Sequence, residues 1–375
     1  METKKMLREF STVIALAAIW GVFAFLSPSF LSARNLSMLM IEVSTTALLS
    51  LGMLLIILPG HIDLSVGSGV GLIGGIASVL VFVHGWAAPL AMLVALLAAL
   101  AIWASMGTIV VKQQMPPFII TLGGLLVFKG AFWLVIHNST VPVAPGGSTN
   151  LYSLLTTYYL PAPVGFALAA LCAAVFGWTQ WSAQKRLAEH HPEAADPELA
   201  FLKWFVVAQG LFLFVLVMNR FRGVPLPIVI LGVATLAIAI LTNLTRFGRY
   251  LYAIGGNPEA AVMSGIPVDK VLIGAYAIMG IIVALAGFLQ TAYAGASTTT
   301  VGDLMELDAV AACVIGGTSL FGGRGTALGC LFGALIMASL LNGMTLMAVS
   351  PELKFIARGL VLSLAVWLDT ALGRP

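Results

Sequence analysis

The stretch YAIGGNPEAAVMSGIPVD, Tyr252 to Asp269, carries the start and stop signals of a short helix in a chain that otherwise reads as long apolar runs. Asn257 is an N-cap, because its side-chain oxygen can accept one of the free N–H groups at a helix start. Pro258 fits the first helical position, where no N–H is required, and Glu259 falls in the first turn, where the helix dipole favours an acid. The helix runs through Ala260 and Ala261 to Ser264, after which Gly265 can take the left-handed stop conformation and Pro267 prevents resumption. The result is about two turns, roughly 10 Å at 1.5 Å per residue. It is too short and too polar to cross a bilayer, so its place is set by the runs on either side.

Those runs belong to a membrane protein. Of the 375 residues, 60% are hydrophobic and 9% charged, against about 25% charge in soluble domains, and the mean hydropathy is +1.05. Apolar stretches of spanning length separated by short polar breaks select helices over a barrel, whose strands would alternate residue by residue. The net charge of +3 comes from basic residues scattered over loop ends, so it makes no nucleic-acid patch. Cys172, Cys313 and Cys330 lie in apolar runs and read as core packing, with neither disulfide-framework nor metal-site spacing.

Apolar length places spans at 10–27, 38–58, 64–84, 87–111, 118–137, 162–181, 203–219, 225–243, 271–292, 305–321, 325–347 and 353–371. The class is an all-α polytopic membrane protein of about twelve transmembrane helices, a single domain over 1–375. Lys4, Lys5 and Arg8 precede a first run that is long for a signal peptide and lacks an A-x-A exit, so it is read as a retained span with a cytoplasmic N-terminus. That orientation puts twelve of the eighteen basic residues on the cytoplasmic side, with the C-terminus and the 252–269 loop.

The inner break at 182–203 repeats the letters PEAA at Pro192 to Ala195, but without the Asn cap or the Ser-Gly-Ile stop, and Asp196-Pro197 interrupts it. The adjacent His190-His191 reads as a solvated pair. In the outer break from Asn138 to Pro161, Tyr152, Tyr158 and Tyr159 suit an interface belt or a docking surface. Gly325, Gly329 and Gly333 recur every four residues, a packing stripe on one helix face.

Between the second and third spans the chain reads Pro59-Gly60-His61-Ile62-Asp63-Leu64-Ser65. Two readings stand: a turn at the membrane boundary capped by Asp63, or a break within the membrane whose His61, Asp63 and Ser65 line a translocation path. Lys129, near the middle of its span, needs a partner or an aqueous face and joins the path candidates. Glu42 lies close enough to its span's outer end to reach the interface. Asp303, Glu306 and Asp308 are read as acids capping the tenth span at the water boundary, in preference to a cation site or a face for a basic partner. No Gly-x4-Gly-Lys-Ser/Thr loop occurs in the chain, so any driving ATP binds another subunit. No triad, zinc motif or paired carboxylate marks an enzyme.

Three blocks, GHIDLSVGS at 60–68, GRYLYAIGGNPEAAVMSGIPVDK at 248–270 and ELDAVAACVIGGTSLFGGRGTALG at 306–329, resemble the permease subunits of sugar ABC importers of the ribose/xylose type. The resemblance implies an importer permease fold in the bacterial plasma (inner) membrane, with two permease chains on two ATPase subunits. It also implies a periplasmic sugar-binding protein and ATP with Mg on the ATPase, with no cofactor in this chain. The 252–269 loop becomes the cytoplasmic coupling loop, whose helix docks into the ATPase. That role carries over to Glu259, Ala260, Ala261 and Gly265, with Asn257, Pro258 and Ser264 shaping the helix. Many ribose-type members carry Gly-Gly-Ile-Asp where this chain has Gly60-His61-Ile62-Asp63, and they have fewer spans. The His and the extra helices around 162–219 are similar to the D-xylose branch. The competing reading, an ion-coupled secondary sugar transporter or channel acting without an ATPase, needs an ion relay that the scarce intramembrane charge does not supply.

Overall fold

A computed structural model describes residues 2–146, 148–190 and 196–373. His191, the Pro192 to Ala195 repeat and Arg374 lie outside the described residues. The chain begins with α1 (Glu2–Leu26), α2 (Ala33–Ile57), α3 (Val66–Phe82), α4 (Ala88–Lys112) and α5 (Pro117–Val135). Next come β1 (Val141–Pro142), α6 (Leu151–Thr157), β2 (Tyr159–Leu160), α7 (Ala162–His190) and α8 (Pro197–Asn219). Then follow β3 (Val224–Pro225), α9 (Leu226–Leu244), α10 (Arg246–Gly256), α11 (Pro258–Met263) and α12 (Val268–Ala294). The chain closes with β4 (Ala296–Ser297), α13 (Met305–Ile315), α14 (Ala327–Leu346) and α15 (Pro351–Gly373).

Among the described residues eight helices, α2, α4, α5, α7, α8, α9, α12 and α14, are long and apolar enough to cross a membrane, and the chain is an all-α polytopic membrane protein. Length alone does not give twelve. The run expected at 305–321 is an 11-residue helix that stops at Ile315, about 16 Å at 1.5 Å per residue against a hydrocarbon core of roughly 30 Å. The apolar letters continue, but Gly316 and Gly317 turn the backbone out of the helix.

α2 and α12 form the spine. Helices that are apolar all round must be buried, and Leu48, Leu49, Leu51, Leu54 and Leu55 of α2 are fully enclosed. α12 packs along α2, α3 and α4. α7 and α8 make a hairpin at the periphery, with a small core of Leu160, Ala169, Val215, Met218 and Val224. Both continue as helix into the expected polar break, and Asp196 caps α8 by accepting from Leu199 N at 2.9 Å.

Several expectations are corrected by packing. Tyr152 is not in an interface belt; it is fully buried, and its hydroxyl donates to Gly74 O at 3.0 Å. Cys172 is exposed, whereas Cys313 and Cys330 are buried with sulfurs 3.7 Å apart. Gly325 precedes α14, so the small-residue stripe is Gly329 and Gly333, set against the Gly316 and Ala312 carbonyls. Antiparallel β1–β4 and β2–β3 pairs pin the long connections at the end of the molecule remote from α11.

Candidate functional site

The caps of α11 make the bonds that its letters require. Asn257 Oδ1 accepts from Ala260 N at 3.0 Å and Pro258 opens the helix. Ser264 N donates to Ala260 O at 3.0 Å, Gly265 N to Val262 O at 2.9 Å and Ile266 N to Ala261 O at 3.1 Å, the bond pattern of a Schellman stop. Gly265 has φ +76°. Glu259 and Ala260 are exposed, but Ala261 is buried against its own chain. Small alanines are therefore not a shared outward surface; Ala261 anchors the helix. The outermost residues are Val262 and Met263, the latter 90% exposed. The letters AAVM carry no mark of which residue faces inward. That is decided by how the preceding helix lies.

The preceding helix is α10, where a loop was expected from Tyr252 onward. Thr245 caps it, accepting from Gly248 N at 3.3 Å, and Gly248, Leu251 and Ile254 face inward. The spacing of those three residues was the available signal. At its end Gly255 is pressed between two backbones, and a Cβ there would run into the Leu58 carbonyl oxygen and the Gly323 amide nitrogen. Gly323 N donates to Leu58 O at 2.9 Å, and Tyr252 Oη to Gly325 O at 2.7 Å. The end of α10, the end of α2 and the 316–326 connection thus meet in direct backbone contact.

The α2–α3 connection starts from the same point. Asp63 is fully buried; its Oδ1 accepts from Ser65 N at 2.8 Å and Ser65 Oγ at 2.5 Å, and its Oδ2 from Trp103 Nε1 at 2.7 Å. Thr121 Oγ1 donates to Ile62 O at 3.2 Å. With both carboxylate oxygens engaged and Ser65 also buried, neither residue meets an open surface here. They tie the start of α3 to α4. His61, in the connection outside both helices, has its imidazole pushed down to about 4 by burial, which leaves it neutral at pH 7, and its ring centroid lies 6.2 Å from that of Tyr276.

Lys129 is elsewhere, and it has a partner. Its ammonium is ion-paired with the Asp303 carboxylate, donates to Thr299 O at 2.8 Å and stands 5.6 Å from the centroid of the Trp133 ring. Trp133 Nε1 donates to the same carbonyl at 3.3 Å. The three acids near 303–308 do not cap a helix at the water boundary. Leu304 occupies the N-cap position of α13 with φ 61° and no side-chain bond, and Glu306 and Asp308 are buried. Asp308 pairs with Arg358 of α15 at 3.2 Å. The reason is the path of 298–304, which runs between α3 and α5, with Val301 O and Gly302 against Gly71 and Gly67. Glu42 accepts from Tyr293 Oη at 3.0 Å and from Asn342 Nδ2 at 3.5 Å.

The apolar helices make this a polytopic membrane protein, with the short capped helix α11 anchored on the bundle through Ala261 and tied to the end of α2 through α10. The chain belongs to the family described as "Branched-chain amino acid transport system / permease component", whose model matches residues 35–366, and within it to the ribose/xylose-type ABC permeases. It is 39% identical over 374 residues to the xylose transport system permease protein XylH of Escherichia coli K12, covering 98% of this chain and 93% of that one. The XylH protein of Haemophilus influenzae is 36% identical over 368 residues, covering 97% and 96%. The ribose import permease protein RbsC of Escherichia coli K12 is 34% identical over 371 residues, covering 98% and 95%. No solved structure matches.

Proposed function

We propose that this chain is the membrane-spanning subunit of an ATP-driven importer for a monosaccharide, D-xylose or a related pentose, forming the translocation path and coupling it to a separate ATPase. The observation that carries the coupling is the exposed Val262–Met263 tip of a rigidly capped helix, joined through Gly255 to the end of α2. ATP draws the ATPase domains together, and a short helix seated in one of them moves with it. Asn257, Pro258, Ser264 and Gly265 hold the shape of the lever, Ala261 anchors it, and Glu259, Ala260, Val262 and Met263 meet the ATPase. Displacement then passes by backbone contact to Leu58 and to the 316–326 connection.

Similarity to XylH at 39% supports xylose, and similarity to RbsC at 34% supports a monosaccharide of that class. The reading places both termini and the 252–269 loop in the bacterial cytoplasm, and has a periplasmic sugar-binding protein deliver substrate to a permease homodimer. ATP and Mg belong to the ATPase, where hydrolysis occurs. The test is affinity purification followed by reconstitution. The chain is expected to copurify with an ATPase and a soluble sugar-binding protein, and Gly265→Val to insert normally while losing ATP hydrolysis stimulated by loaded binding protein. Sugar uptake by vesicles that hold this chain alone would favour the secondary-transporter reading instead.

A further inference from the structure

The face that carries Lys129 has no part in the lever. Lys129 lies about 5 Å beyond the midpoint of the 19-residue α5, at 1.5 Å per residue. Beside it the Asp303 side chain is 49% exposed and Trp133 42%. A half-exposed ion pair at that depth does not face hydrocarbon; intramembrane charge turns to a bundle interior or to water. Nothing in this chain's described residues covers it. α5 packs on α3 and turns Ile119, Leu126 and Val127 outward. Gly123 and Gly130, on the same side of the helix, have open space where a Cβ would stand. A second body that closes a lumen over this face would bring the charged pair into contact with water inside the membrane.

The chemistry of the face suits a polyol. Asp303, with one oxygen engaged by Lys129, retains acceptor capacity for hydroxyl groups, and the Thr298 and Thr300 hydroxyls lie 3.2 Å apart in the same segment. The exposed Trp133 ring offers an apolar wall to the C–H side of a sugar ring.

We propose that Lys129, Asp303 and Trp133 form the station inside the membrane at which a pentose passes, in a lumen closed by the same face of a second copy of this chain. The proposal rests on the sugar-importer reading above. Its test uses the complete importer, with ATPase and binding protein, in liposomes. Asp303→Asn and Trp133→Leu are each expected to lower xylose uptake by about tenfold or more while stimulated ATP hydrolysis stays within about twofold, because the lever is untouched. Uptake within about twofold of wild type in both variants overturns the station. Absence of ATP-dependent uptake in the wild-type complex is a different failure, that of the importer reading, and overturns both. A second variant guards against misfolding. Gly130→Cys, in a background lacking Cys172, Cys313 and Cys330, fits the open space. It is expected to react with a membrane-impermeant thiol reagent and to cross-link two copies, whereas Leu171→Cys on α7 does neither. Labelling of Gly130→Cys by lipid-soluble reagents alone overturns the proposal.

Discussion

Gly255 and Leu58 touch through their backbones, so that α10, which leads directly into α11, has no clearance from the end of the deeply buried α2. Gly255→Ala forces that contact apart. Overpacking of this kind costs about 1–3 kcal/mol, and the variant is expected to melt earlier in detergent and to lose binding-protein-stimulated ATP hydrolysis. Gly256→Ala next to it meets open space and should stay within about 0.5 kcal/mol of wild type. Equal behaviour of the two variants would show that the contact transmits nothing.

Met263 stands almost free of its own chain. Met263→Ala is therefore expected to leave folding unchanged, within about 0.5 kcal/mol. If the residue anchors in the ATPase, the complex should weaken by roughly 1–2 kcal/mol. Titration of the purified permease with its ATPase measures this, and unchanged affinity removes Met263 from the interface.

Trp103 supplies the bond to Asp63 Oδ2. Trp103→Phe keeps an aromatic side chain but removes the indole N–H donor and part of the buried ring, so the carboxylate loses one partner at a cost of about 1–3 kcal/mol and the smaller ring leaves a cavity that adds to it. A melting temperature equal to wild type would mean that water reaches Asp63.

Asp308 and Arg358 tie α13 to α15. Breaking a buried pair by removing one member costs about 3–5 kcal/mol, and replacing both is far milder. Arg358 retains some exposure, so Arg358→Gln should fall at or below the lower end of that range. The double variant Asp308→Asn, Arg358→Gln should recover part of the loss. A double-variant cycle with no coupling would place the pair in water.

Local chemistry explains what was legible in the letters. Apolar run length named the class, since only a helix satisfies its own backbone in lipid. The caps of α11 were readable residue by residue, because Asn257, Pro258 and Gly265 act on neighbours no more than four positions away. Other features were not readable. The half-length of α13 depends on a segment at 298–304 that runs between two other helices. The inward turn of Ala261, against Val262 and Met263, depends on how α10 lies on α2.

Asp303 shows the difference most plainly. In sequence it is one of three acids before an apolar run, and helix capping is the ordinary role for such acids. In the fold it meets Lys129, which is 174 positions away. By itself the sequence determined a polytopic helical membrane protein with one short capped helix, because run length and capping act locally. Only the tertiary structure decided that Gly255 bears on Leu58, that Asp63 is sealed by Trp103, and that Lys129 and Asp303 share an uncovered face. Each of these contacts joins segments whose proximity is set by packing of the whole bundle.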